Sequence, residues 1–192
     1  GAAAALDWAP GIGRMDDIYR RLAARLNELP QGFPPSPSGV ELRILAKIFA
    51  PDDAALALLL LPVPEPLEAI ARRTGRPAGE LEPLLVAMAD KGQILAARQR
   101  GVLHYALAPF VLGIYEFQLP RMDAELAAMF EEYYPTFART LGGSKPALAR
   151  VVPVNARIDA EAEVLAHESV RAIVDAARSF HLMEGICPTQ KA

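Results

Sequence analysis

The chain has 192 residues, 52% hydrophobic and 22% charged, with 20 Lys and Arg against 23 Asp and Glu for a net charge of −3. That length and apolar content suit a folded chain with a sizeable core and exclude an intrinsically disordered one. The slight acidic excess argues against a general binder of polyanions.

Residues 1–15 are Ala-rich and lack the basic start and apolar centre of a secretory signal, so they read as a tag or disordered lead. Asp16 to Leu29 then forms a helix, with Asp16 and Asp17 at its positive end and Ile18, Leu22, Leu26 and Leu29 on one face. The Pro-rich stretch Pro30 to Pro37 is an extended linker. A second helix starts at Ser38 or Gly39, carries Val40, Leu42, Ile44, Leu45 and Ile48, and ends before Pro51. Residues 16–50 therefore hold N-terminal helices and a linker. The run Ala54 to Leu61 is apolar almost all round, which predicts a helix buried on several sides. At eight residues it is far below the roughly 20 needed to span a bilayer. No membrane partner is expected, and the cytoplasm is the default location.

Residues 51–109 carry the most telling pattern. Pro51-Asp52-Asp53 suits a helix start. Leu67, Ile70 and Ala71 share the face of a second helix, which Thr74-Gly75-Arg76-Pro77 breaks. The next helix runs from about Ala78 to Lys91 with Leu81, Leu84, Leu85 and Met88 inward. Gly92 then releases two strands, Ile94 to Arg98 and Val102 to Leu107, around a turn at Gln99-Arg100-Gly101. Helix, tight turn, helix and hairpin make a winged helix-turn-helix. The fold class is mainly α with a small β wing (α+β), its winged core flanked by further N- and C-terminal helices.

A nucleic-acid reader would put the helix Ala78 to Lys91 in the major groove with basic and amide side chains outward. Here Glu80, Glu82 and Asp90 are expected outward, and carboxylates repel the phosphates whose neutralisation supplies most of the affinity. Base lies to either side, at Arg72, Arg73, Arg76, Arg98 and Arg100. Pro66–Pro109 holds six Lys or Arg against four Asp or Glu, a net of +2. The pattern favours a protein-docking module, with DNA as the alternative partner through those five arginines.

Residues 110–192 read as a C-terminal helical region: an apolar run Phe110 to Phe117, a helix Asp123 to Leu141 kinked near Pro135, a break at Gly142 to Pro146, an edge strand Arg150 to Val154 and a helix Ser169 to His181. Gly142 to Pro146 lacks the spacing of a phosphate loop. Tyr133 and Tyr134 read as half-buried packing residues. Glu163, His167 and His181 admit a metal site on spacing, but three scattered histidines fit ordinary positions better, and His104 is a partly exposed strand residue. No catalytic triad or nucleotide fingerprint is present, so no catalytic residue is assigned. A small-molecule pocket lined by Tyr115, Tyr133, Tyr134 and His167 is the remaining enzymatic reading. Cys187, the single cysteine, cannot form an internal disulfide, and one thiolate cannot hold a cluster that needs four ligands.

Tyr19 to Ala23 leading into Leu29-Pro30-Gln31-Gly32-Phe33-Pro34, Ser38 to Leu45, Gly113-Ile114-Tyr115-Glu116-Phe117 and Arg150-Val151-Val152-Pro153-Val154 carry a resemblance. Over about Asp16 to Cys187 the chain resembles the N-terminal part of a family of bacterial [4Fe–4S] ferredoxin-type iron–sulfur proteins, in which a winged-helix region precedes cysteine-rich segments. The resemblance implies a non-catalytic regulatory or docking region of an electron-transfer protein. Cys187 would be the first cysteine of the cluster region, a metal and cofactor ligand, with the other cysteines beyond this chain and no cluster expected within it. Expected partners are another protein or the protein's own downstream iron–sulfur region, and a homodimer.

Overall fold

The computed structural model describes residues 15–143, 157–158, 162–163 and 167–178. The lead before Met15, the expected strand Arg150 to Val154, His181 and Cys187 lie outside the described residues. The chain divides into two units near residue 143.

The first unit begins with α1 (Met15–Asn27), α2 (Val40–Ile48) and α3 (Pro51–Ala57). Pro51 occupies the first turn of α3, with Asp52 and Asp53 beside it, as the helix-start pattern predicts. The apolar run does not stay helical to Leu61. It leaves α3 after Ala57, and the Leu61 carbonyl accepts the Leu107 amide at 2.8 Å. At the head of α2, Ser36 replaces the missing helical partners. Its hydroxyl accepts the Val40 amide at 3.1 Å, while its own amide and hydroxyl donate to the buried Glu41 carboxylate.

The winged element follows as β1 (Glu65–Pro66), α4 (Leu67–Thr74), α5 (Ala78–Asp90), β2 (Leu95–Gln99) and β3 (Val102–Ala106). Gly75 ends α4 at φ 68°, the left-handed conformation the sequence pattern requires. The sheet is antiparallel in the order β1-β3-β2, the strand order of a winged helix. The wing turn is tighter than expected. Only Arg100 (φ 49°) and Gly101 (φ 87°) make it, both left-handed, which matches strand twist in a two-residue hairpin and leaves Gln99 in the strand opposite Val102. The strand β1 has no sequence signal of its own.

After the wing the backbone turns sharply through Val111, Leu112 (φ 59°) and Gly113 into α6 (Tyr115–Phe117), a short 3-10 turn at Leu119–Arg121, and α7 (Ala124–Gly143), which contains Pro135. Segments 16–50, 51–109 and 110–143 share one hydrophobic core, from Tyr19 on α1 through Ile70, Leu85 and Tyr105 to Phe137 on α7. Its aromatic part joins the Pro-rich linker to the chain beyond the wing: Phe33 lies 4.4 Å from Phe110 and 5.1 Å from Tyr133, and Tyr115 meets Phe130 edge-on at 4.7 Å. Within the Pro-rich linker Phe33 is thus a core residue, while Pro30, Pro35 and Pro37 stay exposed.

The second unit contains β4 (Arg157–Ile158) paired with β5 (Ala162–Glu163), and α8 (His167–Ala176). The last helix starts two residues earlier than the expected Ser169 and stops at Ala176, short of His181. Val170, Ile173 and Val174 on it are exposed.

Candidate functional site

The surface singled out by the sequence is the outward side of α5. Leu81, Leu85 and Met88 recur at four- and three-residue intervals and are buried, 1% exposed at most. Burying each contributes about 1.5–3 kcal/mol, which fixes the rotation of the helix. Glu80, Glu82, Pro83, Val86, Ala87 and Asp90 consequently face solvent. Leu84, expected inward, is 42% exposed, and Val86 is 38% exposed. At 100° per residue Leu84 lies about 70° off the centre of the buried stripe, on its rim. The outward face therefore combines three carboxylates with two branched apolar side chains.

Two of the five arginines are engaged by the fold itself. Arg73 is turned inward against its own fold: its guanidinium donates to the Leu59 carbonyl at 2.7 Å and to both oxygens of Glu65 at 3.1 and 2.5 Å, tying α4 to the end of the α3 segment and to β1. Arg98 donates to the Gly101 carbonyl at 2.7 Å and braces the wing turn. Arg72 and Arg100 are exposed and Arg76 is half-buried.

The C-terminal end of α5 is held from beyond the wing. Arg121 donates to the Asp90 carbonyl at 2.8 Å, and the buried Gln118 amide points at the carbonyls of Lys91 and Gly92, each at 3.2 Å, and of Ile114 at 3.3 Å. These donors satisfy carbonyls that a helix end leaves without partners. Gln93, also buried, donates to the Ile48 carbonyl and to Asp53, which receives Lys91 as well. Neither glutamine stands out in sequence, because apart from the Ile114 carbonyl the backbone groups they reach are 26 to 45 positions away.

The other candidates separate. Tyr133 is buried, its hydroxyl donating to the Pro34 carbonyl at 2.9 Å, and burial with the nearby Glu41 carboxylate pushes its pKa far up. Tyr134 is 65% exposed, and Tyr115 packs on Phe130. Neither Tyr133 nor Tyr134 is half-buried: adjacent positions on α7 point about 100° apart, one into the core and one into solvent, so they line no common cleft. His167 stands in the second unit. His104 is half-buried in β3, Nδ1 3.1 Å from the Val102 carbonyl. Among the described residues no group of three or more His, Cys, Asp or Glu is placed to hold a metal ion, and no helix is long and apolar enough to cross a membrane.

No protein-family model matches this chain, and no curated protein or solved structure is significantly similar to it.

Proposed function

We propose that this chain is a non-catalytic docking region built on a winged helix, whose α5 face meets protein instead of nucleic acid. The observation that carries the reading is the outward surface of α5, where Glu80, Glu82 and Asp90 stand beside exposed Leu84 and Val86. Carboxylates there oppose a phosphate backbone, whereas a mixed acidic and apolar strip suits a partner offering basic and apolar side chains. Arg73, committed to Leu59 and Glu65, is further removed from any phosphate-binding set. The resemblance to ferredoxin-type iron–sulfur proteins supplies the wider setting: a cytoplasmic electron-transfer protein, with Cys187 opening the cluster segment and that segment the first candidate partner.

Two measurements test this. In the protein from the intact gene, anaerobic reconstitution with iron and sulfide should give broad visible absorption, and the methyl NMR signals of Leu84 and Val86 should differ from those of the 192-residue chain. A colourless product removes the iron–sulfur setting, and unchanged methyl signals remove α5 as the docking face.

Exposed Arg72 and Arg100, with Arg76 and Arg98, favour DNA as the second reading. It requires low-salt binding to duplex DNA that weakens, with a shallower salt dependence, when Arg98 and Arg100 are replaced by Ala. Duplex DNA without effect on fluorescence anisotropy at low salt eliminates it.

A further inference from the structure

The wing has an open side. In the order β1-β3-β2, β2 is an edge strand, and Ala96, Ala97, Arg98 and Gln99 are all exposed. Which backbone groups are free follows from the ladder. The Leu107 amide bonds back to Leu61, on the β1 side, so alternation turns the amides and carbonyls of Ala106, His104 and Val102 toward β2. Their partners in register are Leu95, Ala97 and Gln99. The N–H and C=O of Ala96 and Arg98 therefore point out of the sheet. A strand edge of this kind is a template for another strand, and proteins that keep it free place charge or proline along it. Here its centre is Ala96-Ala97, two of the smallest side chains, and the charge it does carry, Arg98, is turned to the Gly101 carbonyl of its own wing turn.

We propose that this edge pairs with the same edge of a second copy, antiparallel, about a two-fold axis passing by Ala97. The free groups are self-complementary in that register. Ala96 of each copy lies opposite Arg98 of the other, each pair exchanges two N–H to O=C bonds, and Ala97 meets its own copy in the closer, non-hydrogen-bonded position that a methyl group tolerates. Charge agrees with the register. Beside the start of β2 is a groove of about 440 Å³ whose lining includes Asp90, Ile94, Leu95, Ala96 and Phe117. Antiparallel pairing sets Gln99 of the partner opposite Leu95 and carries its Arg100 past Ile94 toward the exposed Asp90. The groove's own cation, Arg121, is held by the Asp90 carbonyl. By symmetry the contact forms twice. The pairing shares only Asp90, the last residue of α5, with the face that carries the proposed function; the rest of it uses β2 and the wing, so the edge variants test it separately from what α5 meets. Five residues a side make a small interface, which places the dimer in the weak, concentration-dependent class.

Sedimentation equilibrium of the 192-residue chain over a wide concentration range tests it. The expected result is reversible association to two chains and no further. Ala97→Lys and Ala97→Glu, at an exposed position, place like charges face to face and should each be monomeric, while their equimolar mixture should regain the two-chain species. Ala96→Pro removes an outward N–H and no ladder bond, so it should be monomeric with an unchanged far-UV circular dichroism spectrum. A monomer at the highest concentration, a dimer that survives both Ala97→Lys and Ala96→Pro, or charge variants that fail to recover on mixing overturns the proposal.

Discussion

Phe117 lies so close over Gly92 that a methyl group on Gly92 would stand 2.5 Å from the Phe117 Cβ and 2.8 Å from its carbonyl oxygen. Gly92 also has φ 70°, the left-handed region, at the point where α5 hands over to β2. Gly92→Ala therefore meets backbone strain and overlap together, and should cost about 2–4 kcal/mol in denaturant unfolding. Gly39→Ala, equally left-handed at φ 67° but in open space, should cost only the conformational part, about 1–2 kcal/mol. Equal losses at the two positions would show that Phe117 does not press on Gly92.

Gln118 joins the same junction by hydrogen bonding. Replacing it with Met keeps the volume but leaves the carbonyls of Lys91, Gly92 and Ile114 without their amide donor, so stability should fall by about 1–3 kcal/mol. Hydrogen exchange should quicken first at the C-terminal turn of α5. Uniform loss of protection over α1 and α2 would argue against so local a role.

Arg73 and Arg100 should part company on substitution. Arg73→Ala removes donors to the Leu59 carbonyl and Glu65; with the side chain one-third exposed, screening by solvent holds the cost to about 1 kcal/mol. Arg100→Asn relieves a left-handed backbone in the wing turn and should raise stability by about 0.5 kcal/mol. Melting temperatures that move in the same direction for both would refute the division between bracing and turn-tip arginine.

Alkali should unfold the chain through its buried phenols. Burial, with the Asp53 carboxylate adding at Tyr19, Glu82 at Tyr105 and Glu41 at Tyr133, raises all three above the ordinary value of 10.0. Between that value and the folded-state pKa the unfolded chain has lost its proton and the native chain has kept it. The stabilisation is thus complete below pH 10.0 and lost as pH rises above it. Tyr133→Phe should flatten the alkaline limb while losing the bond to Pro34, a cost of about 1 kcal/mol near neutrality. Acid acts in the opposite sense. The Leu126 amide and then Lys47 hold Asp123 below its usual range, and Ser38 and then Arg43 do so for Glu132. What those exposed carboxylates contribute is present above their unfolded pKa and lost as pH falls through the folded one. A stability profile flat from pH 9 to 12, an approximate window set by the phenol pKa, would exclude the tyrosine account.

Local pattern was enough for the helices of the winged element, because periodic apolar residues, Pro51 in a first turn and Gly75 past an end act within a few residues of themselves. The acidic character of α5 was legible for the same reason: once Leu81, Leu85 and Met88 define the inner stripe, Glu80, Glu82 and Asp90 have only the other side. What lay beyond it depended on partners distant in the chain. Glu65–Pro66 becomes a strand only because Tyr105 and His104 are beside it, since two residues including a proline have no strand preference of their own. Arg73 became a brace when Leu59 and Glu65 came within reach, and the buried amides of Gln93 and Gln118 acquired partners only on folding. Leu84 went outward because its position on α5 is at the rim of the stripe that Leu81, Leu85 and Met88 bury. Side-chain periodicity is a short-range property of the backbone, whereas satisfaction of carbonyls and the choice of which edge stays open are settled by packing across the whole unit.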